Sequence, residues 1–290
     1  MLNLSGVTQQ PGVPLTEEEI AQVQAIKPVP GKNGLYVIGG LDGNPMGGQM
    51  AVLVTNDGVL LVDDKLPRSF ALIIEQVRQV TTAPIRYVLS SHHHGDHTGS
   101  NGVFTEIAET MMHRNARANM VRGAQAGPGH ITFTNEAAVH IGGVEVRMHY
   151  FGRGHTDGDS IISFPSLGVI HTGDLVSDGQ RSDGSTLTPV FDYNNGGSAL
   201  EFPATLDGAL GLDWDLAIPG HGFIKDRTEV RGFRDRVEQL GGKMAAYIAA
   251  GGAKDDIEAK FDCSDLGWPV AGNFVRALGN VYDEVAAARK

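Results

Sequence analysis

Residues 85–101 read Ile85-Arg86-Tyr87-Val88-Leu89-Ser90-Ser91-His92-His93-His94-Gly95-Asp96-His97-Thr98-Gly99-Ser100-Asn101. The first five form a short apolar run of strand length, and the run passes without a break into a histidine-rich stretch. His92, His94, Asp96 and His97 follow the pattern H-x-H-x-D-H. At a strand exit, His92 and His94 project to one side, and a turn at Gly95 lets Asp96 and His97 face a second position. The spacing therefore supplies donors for two neighbouring metal ions rather than four donors for one. Imidazole and carboxylate suit zinc, and also iron or manganese. The only cysteine is Cys263, expected to be a small buried apolar side chain, so any metal here is held by nitrogen and oxygen.

Working outward, residues 1–33 read as a loosely attached arm. Within it, Thr16 followed by Glu19 is a capping-box signature for a helix over 17–26. Strand patterns begin at Leu35. Ala51–Thr55 and Val59–Val62 are apolar runs joined through Asn56-Asp57-Gly58, a hairpin signal. Ser69–Val80 has a helical period, with Leu72, Ile73, Val77 and Val80 on one face. After the histidine motif come a weaker strand at Ile107–His113 and a helix at Asn115–Val121. Strands at Val139–Ile141 and Val144–Phe151 then flank Gly142-Gly143. Ser160–Phe164 and Val169–Thr172 follow, a helix starts at Ser198 with Glu201 completing a second capping box, and Leu216–Pro219 leads into Gly220-His221-Gly222. Residues 226–290 are mostly helical. Strands, a helix, a strand and a motif thus come round twice. Two mixed sheets packed face to face with helices outside would bury such elements, an α+β fold built as a four-layer αββα sandwich. No composition break marks a linker, and a single domain over 1–290 is expected.

The chain has 290 residues, 41% hydrophobic and 20% charged, an ordinary balance for a globular enzyme. Its formal net charge of -11 disfavours nucleic acid, where lysine and arginine must neutralise phosphates, and disfavours anionic membranes. No apolar run approaches the roughly 18 residues that span a bilayer. The start, MLNLSGVTQQPGVP, lacks the basic flank and apolar stretch of a signal peptide. A cytoplasmic protein is expected, unless a leader has been trimmed away. A small-molecule substrate fits this balance, and the oligomeric state stays open.

The motif resembles that of the metallo-β-lactamase superfamily, and the chain continues in that family's order. Gly154-His155-Thr156-Asp157-Gly158 comes next, then Thr172-Gly173-Asp174, then Pro219-Gly220-His221-Gly222. The resemblance covers residues 35–225 and implies the αββα fold that the element order suggests independently. Carried over by position, it implies that His92, His94 and His155 hold one metal, that Asp96, His97 and His221 hold a second, and that Asp174 bridges both. Two such cations, most simply two Zn(2+), would share a water and lower its pKa, providing hydroxide as nucleophile. The resemblance gives Asp96 the role of orienting that nucleophile and shuttling its proton. Thr156, Asp157 and Asp159 are expected to steady the rings from behind, and the remaining histidines to be structural or to support the ligands from behind.

Departures from each branch of the family narrow the activity. Zinc β-lactamases usually carry cysteine or serine where Asp174 stands; aspartate resembles the glyoxalase II, lactonase and RNA-processing branches. The leading expectation is a dinuclear zinc hydrolase of an acyl bond in a lactone, thioester, ester or β-lactam, through a metal-bridging hydroxide. A persulfide-dioxygenase-like enzyme with one iron at His92, His155 and Asp174 is the alternative from another class, and a small-molecule phosphodiester hydrolase stays open. Substrate contacts are expected from two loops, Gly39–Gly48 and Ser177–Gly197, with Met46, Tyr193, Asn194 and Asn195 as candidates. His130 joins them if its glycine-rich segment folds over the cleft.

Overall fold

Seven strands pair side by side in the first sheet, in the order in which they occur in the chain. They are β1 (Ile26–Pro28), β2 (Leu35–Ile38), β3 (Met50–Thr55), β4 (Gly58–Val62), β5 (Ile85–Leu89), β6 (Glu109–His113) and β7 (Ile131–Phe133). The computed structural model describes residues 16–39 and 47–289. Pairing is antiparallel from β1 to β4. It is parallel from β4 to β7, because helices carry the chain back between strands. Helix α2 (Phe70–Arg78) makes the β4–β5 crossover, and α5 (Arg114–Arg122) lies between β6 and β7. Two single-turn helices, α3 (Gly95–Thr98) and α4 (Asn101–Phe104), follow β5.

The second sheet runs in the order β13-β12-β11-β10-β9-β8. Its strands are β8 (Glu136–Ile141), β9 (Val144–His149), β10 (Ile161–Phe164), β11 (Val169–Asp178), β12 (Leu216–Gly222) and β13 (Lys225–Asp226). The β8–β9 hairpin closes on Gly142 and Gly143, whose φ angles of 55° and 81° suit the mirror-image turn that matches strand twist. Only β11 and β12 pair in parallel, across α6 (Phe202–Leu210). Three helices close the chain: α7 (Arg227–Ala249), α8 (Ile257–Lys260) and α9 (Asn273–Ala288).

Side-chain alternation sorts these elements into four layers. In β3 and β4, Ala51, Leu53, Leu60 and Val62 face the second sheet and pack with Val146, Met148, Ile162 and Ile218. Their neighbours Met50, Val52, Val59 and Leu61 face outward onto Ile73 and Val77 of α2. Both faces are covered, so every residue of β4 is buried and its sequence is apolar without alternation. On the far side, Ile161, Ile170 and Ala217 pack beneath Phe202, Phe233, Trp268 and Leu278 of the helical layer. This is the expected α+β sandwich of two mixed sheets.

Three local expectations are corrected. The arm is not loose beyond Ala25: β1 pairs with β2, and Ile26 N donates to Gln76 Oε1 of α2 at 2.8 Å. A three-residue strand carries no periodicity, which hid it. Helix α1 (Glu17–Gln24) does have the Thr16/Glu19 capping box. The second box does not form. Ser198 Oγ accepts from Glu201 N, but the Glu201 carboxylate pairs with Arg153, and the helix starts at Phe202. Finally, β11 runs on to Asp178, so Asp174 lies within a strand.

Candidate metal centre

The C-terminal end of β5 delivers the histidine motif to an edge shared by both sheets. His94 caps α3, and that single helical turn, not a left-handed glycine, turns Asp96 and His97 away from His92 and His94. Asp174 comes from β11 and His221 from β12, the parallel pair, and His155 from the loop between β9 and β10. All seven sequence-predicted donors meet here. One group is His92, His94, His155 and Asp174; another is Asp96, His97 and His221; within each, the donor atoms lie within 4.8 Å of one another.

Asp174 faces both groups. Its Oδ1 is 3.1 Å from His97 Nε2 and 3.5 Å from His221 Nε2, while Oδ2 is 3.6 Å from His155 Nε2. Asp96 Oδ2 is 3.3 Å from His221 Nε2 and 3.6 Å from His97 Nε2. His155 Nε2 and His94 Nδ1 point at each other across 2.9 Å. His92 Nε2, His97 Nε2 and Asp174 Oδ1 are buried without a hydrogen-bond partner; the 3.1 Å approach of the last two is out of line for one. Buried polar atoms are normally satisfied. Convergent, unsatisfied nitrogens and oxygens fit a cation.

The electrostatics divide in the same way. Burial holds the His92 ring well below its usual pKa and takes His155 down to about 4, leaving both neutral and able to donate a lone pair. In the other group burial also opposes charge, but the Asp174 and Asp96 carboxylates outweigh it. They lift His221 to about 9 and His97 well above its usual value. Those rings in turn keep Asp174 ionised despite its burial. Without metal, two protonated imidazoles supply the positive charge that the carboxylates require. A divalent ion displaces such protons when it binds.

The outward ring nitrogens of His92, His94, His97 and His155 are tied down, as metal-binding imidazoles require, whereas His221 Nδ1 is buried without a hydrogen-bond partner. His92 Nδ1 meets Ser91 Oγ at 3.0 Å, and His97 Nδ1 meets Asp63 Oδ2 at 2.8 Å. Asp63 also accepts from Ser91 N and Ser91 Oγ. His155 Nδ1 donates to Val190 O, and His94 Nε2 meets Asp192 Oδ2 at 2.8 Å. Asp63, Ser91 and Asp192 were not singled out from sequence. A signal existed for the first: two aspartates and a lysine directly after an apolar strand are charges about to be buried. The expected partners are corrected, because Thr156 and Asp159 bond each other and Asp157 accepts from Asn119.

The substrate candidates scatter. Asn195 Nδ2 donates to Asp192 Oδ2 and so stands behind His94. Tyr193 turns away to donate to Glu284 Oε2, and Asn194 is exposed. His130 lines a hollow with Pro84, Ile85 and Arg86, at the start of β5, whereas the motif follows its end; it does not cover the cleft. Met46 lies outside the described residues. Cys263 is fully buried in the helical layer, where burial pushes its thiol up to about 11. The remaining histidines are structural where bonded. His171 donates to Gln49 O, His113 stacks on Tyr150, and His149 joins Glu136 to Ser163.

A four-layer sandwich with a histidine–aspartate cluster at the edge of both sheets defines a metal-binding fold. Residues 43–221 match the model of the metallo-beta-lactamase superfamily, and the chain belongs to that family. It is similar to the 2,4-dinitroanisole O-demethylase subunit alpha of Nocardioides sp. (strain JS1661), 29% identical over 150 residues. That match takes in 50% of this chain and 43% of that one, so less than half of the relative's length is represented. Metallo-beta-lactamase IND-1 of Chryseobacterium indologenes is 26% identical over 200 residues, 66% of this chain and 80% of that one. Among solved structures, a metallo-beta-lactamase from Pontibacter korlensis superposes with a TM-score of 0.61 at 14% identity, over 73% of this chain and 98% of its own. DIM-1 metallo-beta-lactamase gives 0.61 at 18%, over 74% and 98%. At those identities the likeness concerns the fold.

Proposed function

We propose that this chain is a single-domain dinuclear hydrolase, most simply loaded with two zinc ions, that cleaves an acyl bond in a small lactone, thioester, ester or β-lactam. One observation carries the reading: Asp174 directs one carboxylate oxygen to His97 and His221 and the other to His155, so a single side chain faces two sets of donors. His92, His94 and His155 would hold one ion, Asp96, His97 and His221 the second, and Asp174 both. Two divalent cations held there would acidify a water and polarise the scissile carbonyl. Asp96, whose side chain at 34% exposed is the most open of the seven donors, would orient the attacking water and carry its proton to the leaving group. Asp63 and Asp192 hold His97 and His94 in the ring orientation that binding needs.

The one-iron alternative needs only His92, His155 and Asp174 and leaves the Asp96, His97 and His221 group without a task. Metal analysis of the purified chain, with lactone, thioester, β-lactam, phosphodiester and aryl ether substrates, tests the proposal. The aryl ether answers the demethylase relative. Two zinc ions per chain and acyl hydrolysis are expected; one iron per chain with oxygen consumption would overturn the reading.

A further inference from the structure

Strand β4 ends at Val62, and the next three residues, Asp63, Asp64 and Lys65, are all charged types and all at most 1% exposed. Asp63 and Lys65 have φ angles of 63° and 64°, a left-handed conformation that costs a non-glycine residue about 1 kcal/mol or more. The surroundings must repay that cost, and each side chain has a definite destination. Asp63 reaches Ser91 and His97. Asp64 Oδ1 accepts from Ser100 N. Lys65 reaches the opposite way, donating from Nζ to Gly39 O at 2.9 Å and to Gly48 O at 2.5 Å.

Those two carbonyls stand on either side of residues 40–47, so one ammonium joins two points of the chain nine residues apart. Gly48 is the more telling of them. A Cβ on it would fall 2.2 Å from His97 Cε1 and 2.6 Å from His97 Nε2, so the ring lies directly on the glycine. Gly48 N donates to Asp96 O at 2.9 Å, and the next amide, Gln49 N, donates to Gly220 O at 2.7 Å, beside His221. The Lys65 turn is itself stitched to the motif, through Asp64 N to His97 O and Gly99 N to Lys65 O. The bonds from Gly48, Gln49 and Asp64 end on Asp96, on Gly220 beside His221 and on His97, and the Gly99 bond lies two residues beyond His97. None of those named ends on His92, His94 or His155.

We propose that Lys65 is a positioning residue for one half of the metal centre: by clamping the Gly39 and Gly48 carbonyls it seats His97, and through Gln49 the His221 end of β12, before metal arrives. The inference rests on the two-ion reading above. Lysine is rarely buried completely, and burial lowers this one to about 7 against the pull of Asp63 and Asp96, so it is retained at a cost. A lysine that merely filled space would be replaceable by methionine, which has a similar length and no charge.

The test compares the unsubstituted chain with Lys65→Met in stepwise zinc titrations of metal-free protein against a competing chelator, with thermal unfolding of the metal-free forms alongside. Lys65→Met is expected to weaken the second ion about 10-fold or more and the first by less than about 3-fold, in the range seen when support behind a ligand is removed. Equal losses at both ions, or none at either, would overturn the proposal. If Lys65→Met does not fold, hydrogen exchange in the unsubstituted metal-free chain decides. The Gly48 and Gln49 amides are expected to be as protected as those of β3; exchange at the rate of an open loop would overturn the clamp. If the unsubstituted chain takes up only one ion, the two-ion reading fails separately, and the exchange result alone then judges Lys65.

Discussion

Gly220→Ala adds one methyl group at the most crowded point of the centre. A Cβ at Gly220 would stand 2.0 Å from Asp174 Oδ1, 2.7 Å from the Gly173 carbonyl carbon and 2.9 Å from Asp174 N. Ordinary contact begins at 3.4 Å, so the carboxylate oxygen must retreat by about 1.4 Å. The backbone atoms cannot yield separately, because β11 and β12 are paired at this level, Gly173 against Pro219. Gly220 is not among the glycines with positive φ, so the penalty is one of space and not of backbone conformation. Overpacking of this kind costs about 1–3 kcal/mol, small enough for the chain to fold. The functional cost is larger. Asp174 Oδ1 is the atom that approaches His97 and His221, and a misplacement of about 1 Å at a reacting centre costs about 100-fold in rate. Zinc content after dialysis, zinc affinity by chelator competition, kcat/KM on the best panel substrate and an unfolding curve would be measured together. A folded protein is expected, with the unfolding midpoint lowered by several degrees, the second ion weakened and kcat/KM down by about 100-fold. Two ions bound at unchanged affinity with rates within about 3-fold of the parent would refute the reasoning, since Asp174 would then have room that the structure denies it.

His221→Ala should lower zinc from about two ions per chain towards one, since His221 belongs only to the group with Asp96 and His97; an unchanged content on elemental analysis would remove it from the site. Asp174→Asn should weaken both ions and activity more than Asp157→Asn, because Asp157 bonds Asn119 and no ring of the centre; equal effects in the same titration would argue against the bridge. In the metal-free chain, burial lifts the Asp159 carboxyl to about 7 although Thr156 bonds favour its charge, so the folded form binds more protons than the unfolded form between about pH 4 and 7. Its contribution to stability therefore falls as pH rises through that window, and Asp159→Asn should flatten this part of the midpoint-versus-pH curve; an unaltered curve would count against the assignment. Gly232→Ala with Gly242→Ala, both on the exposed side of α7 with nothing within 4 Å of the added Cβ, should raise stability by about 0.5–1 kcal/mol each and leave turnover unchanged. A lowered midpoint in the double variant would show contacts that the helix does not reveal.

The sequence by itself marked most of the elements and the candidate donors, and for a local reason. Period-two and helical patterns mark which stretches can bury one face. Four donors of the motif lie within six consecutive residues at one strand exit, so their convergence hardly depends on the rest of the chain. His155, Asp174 and His221 were legible because each stands directly after a glycine in the family's order. What orients those donors was not legible. Asp63 reaches His97 across 34 positions, Asp192 reaches His94 across 98, and Gln49 reaches Gly220 from the other sheet. Pairing of β4 with β5 makes the first contact, and the packing of a loop and of the second sheet against the motif makes the others; no local spacing encodes them. Tertiary structure also overruled local preference. Glu201 had a capping partner three residues away at Ser198, but Arg153 takes its carboxylate and Glu284 takes the Ser198 hydroxyl. Tyr193 lies next to Asp192, yet α9 draws it to Glu284, while Asp192 turns to His94. Neighbours in sequence part company here because two packed layers compete for the same loop, and only the assembled sandwich decides which side chain each layer receives.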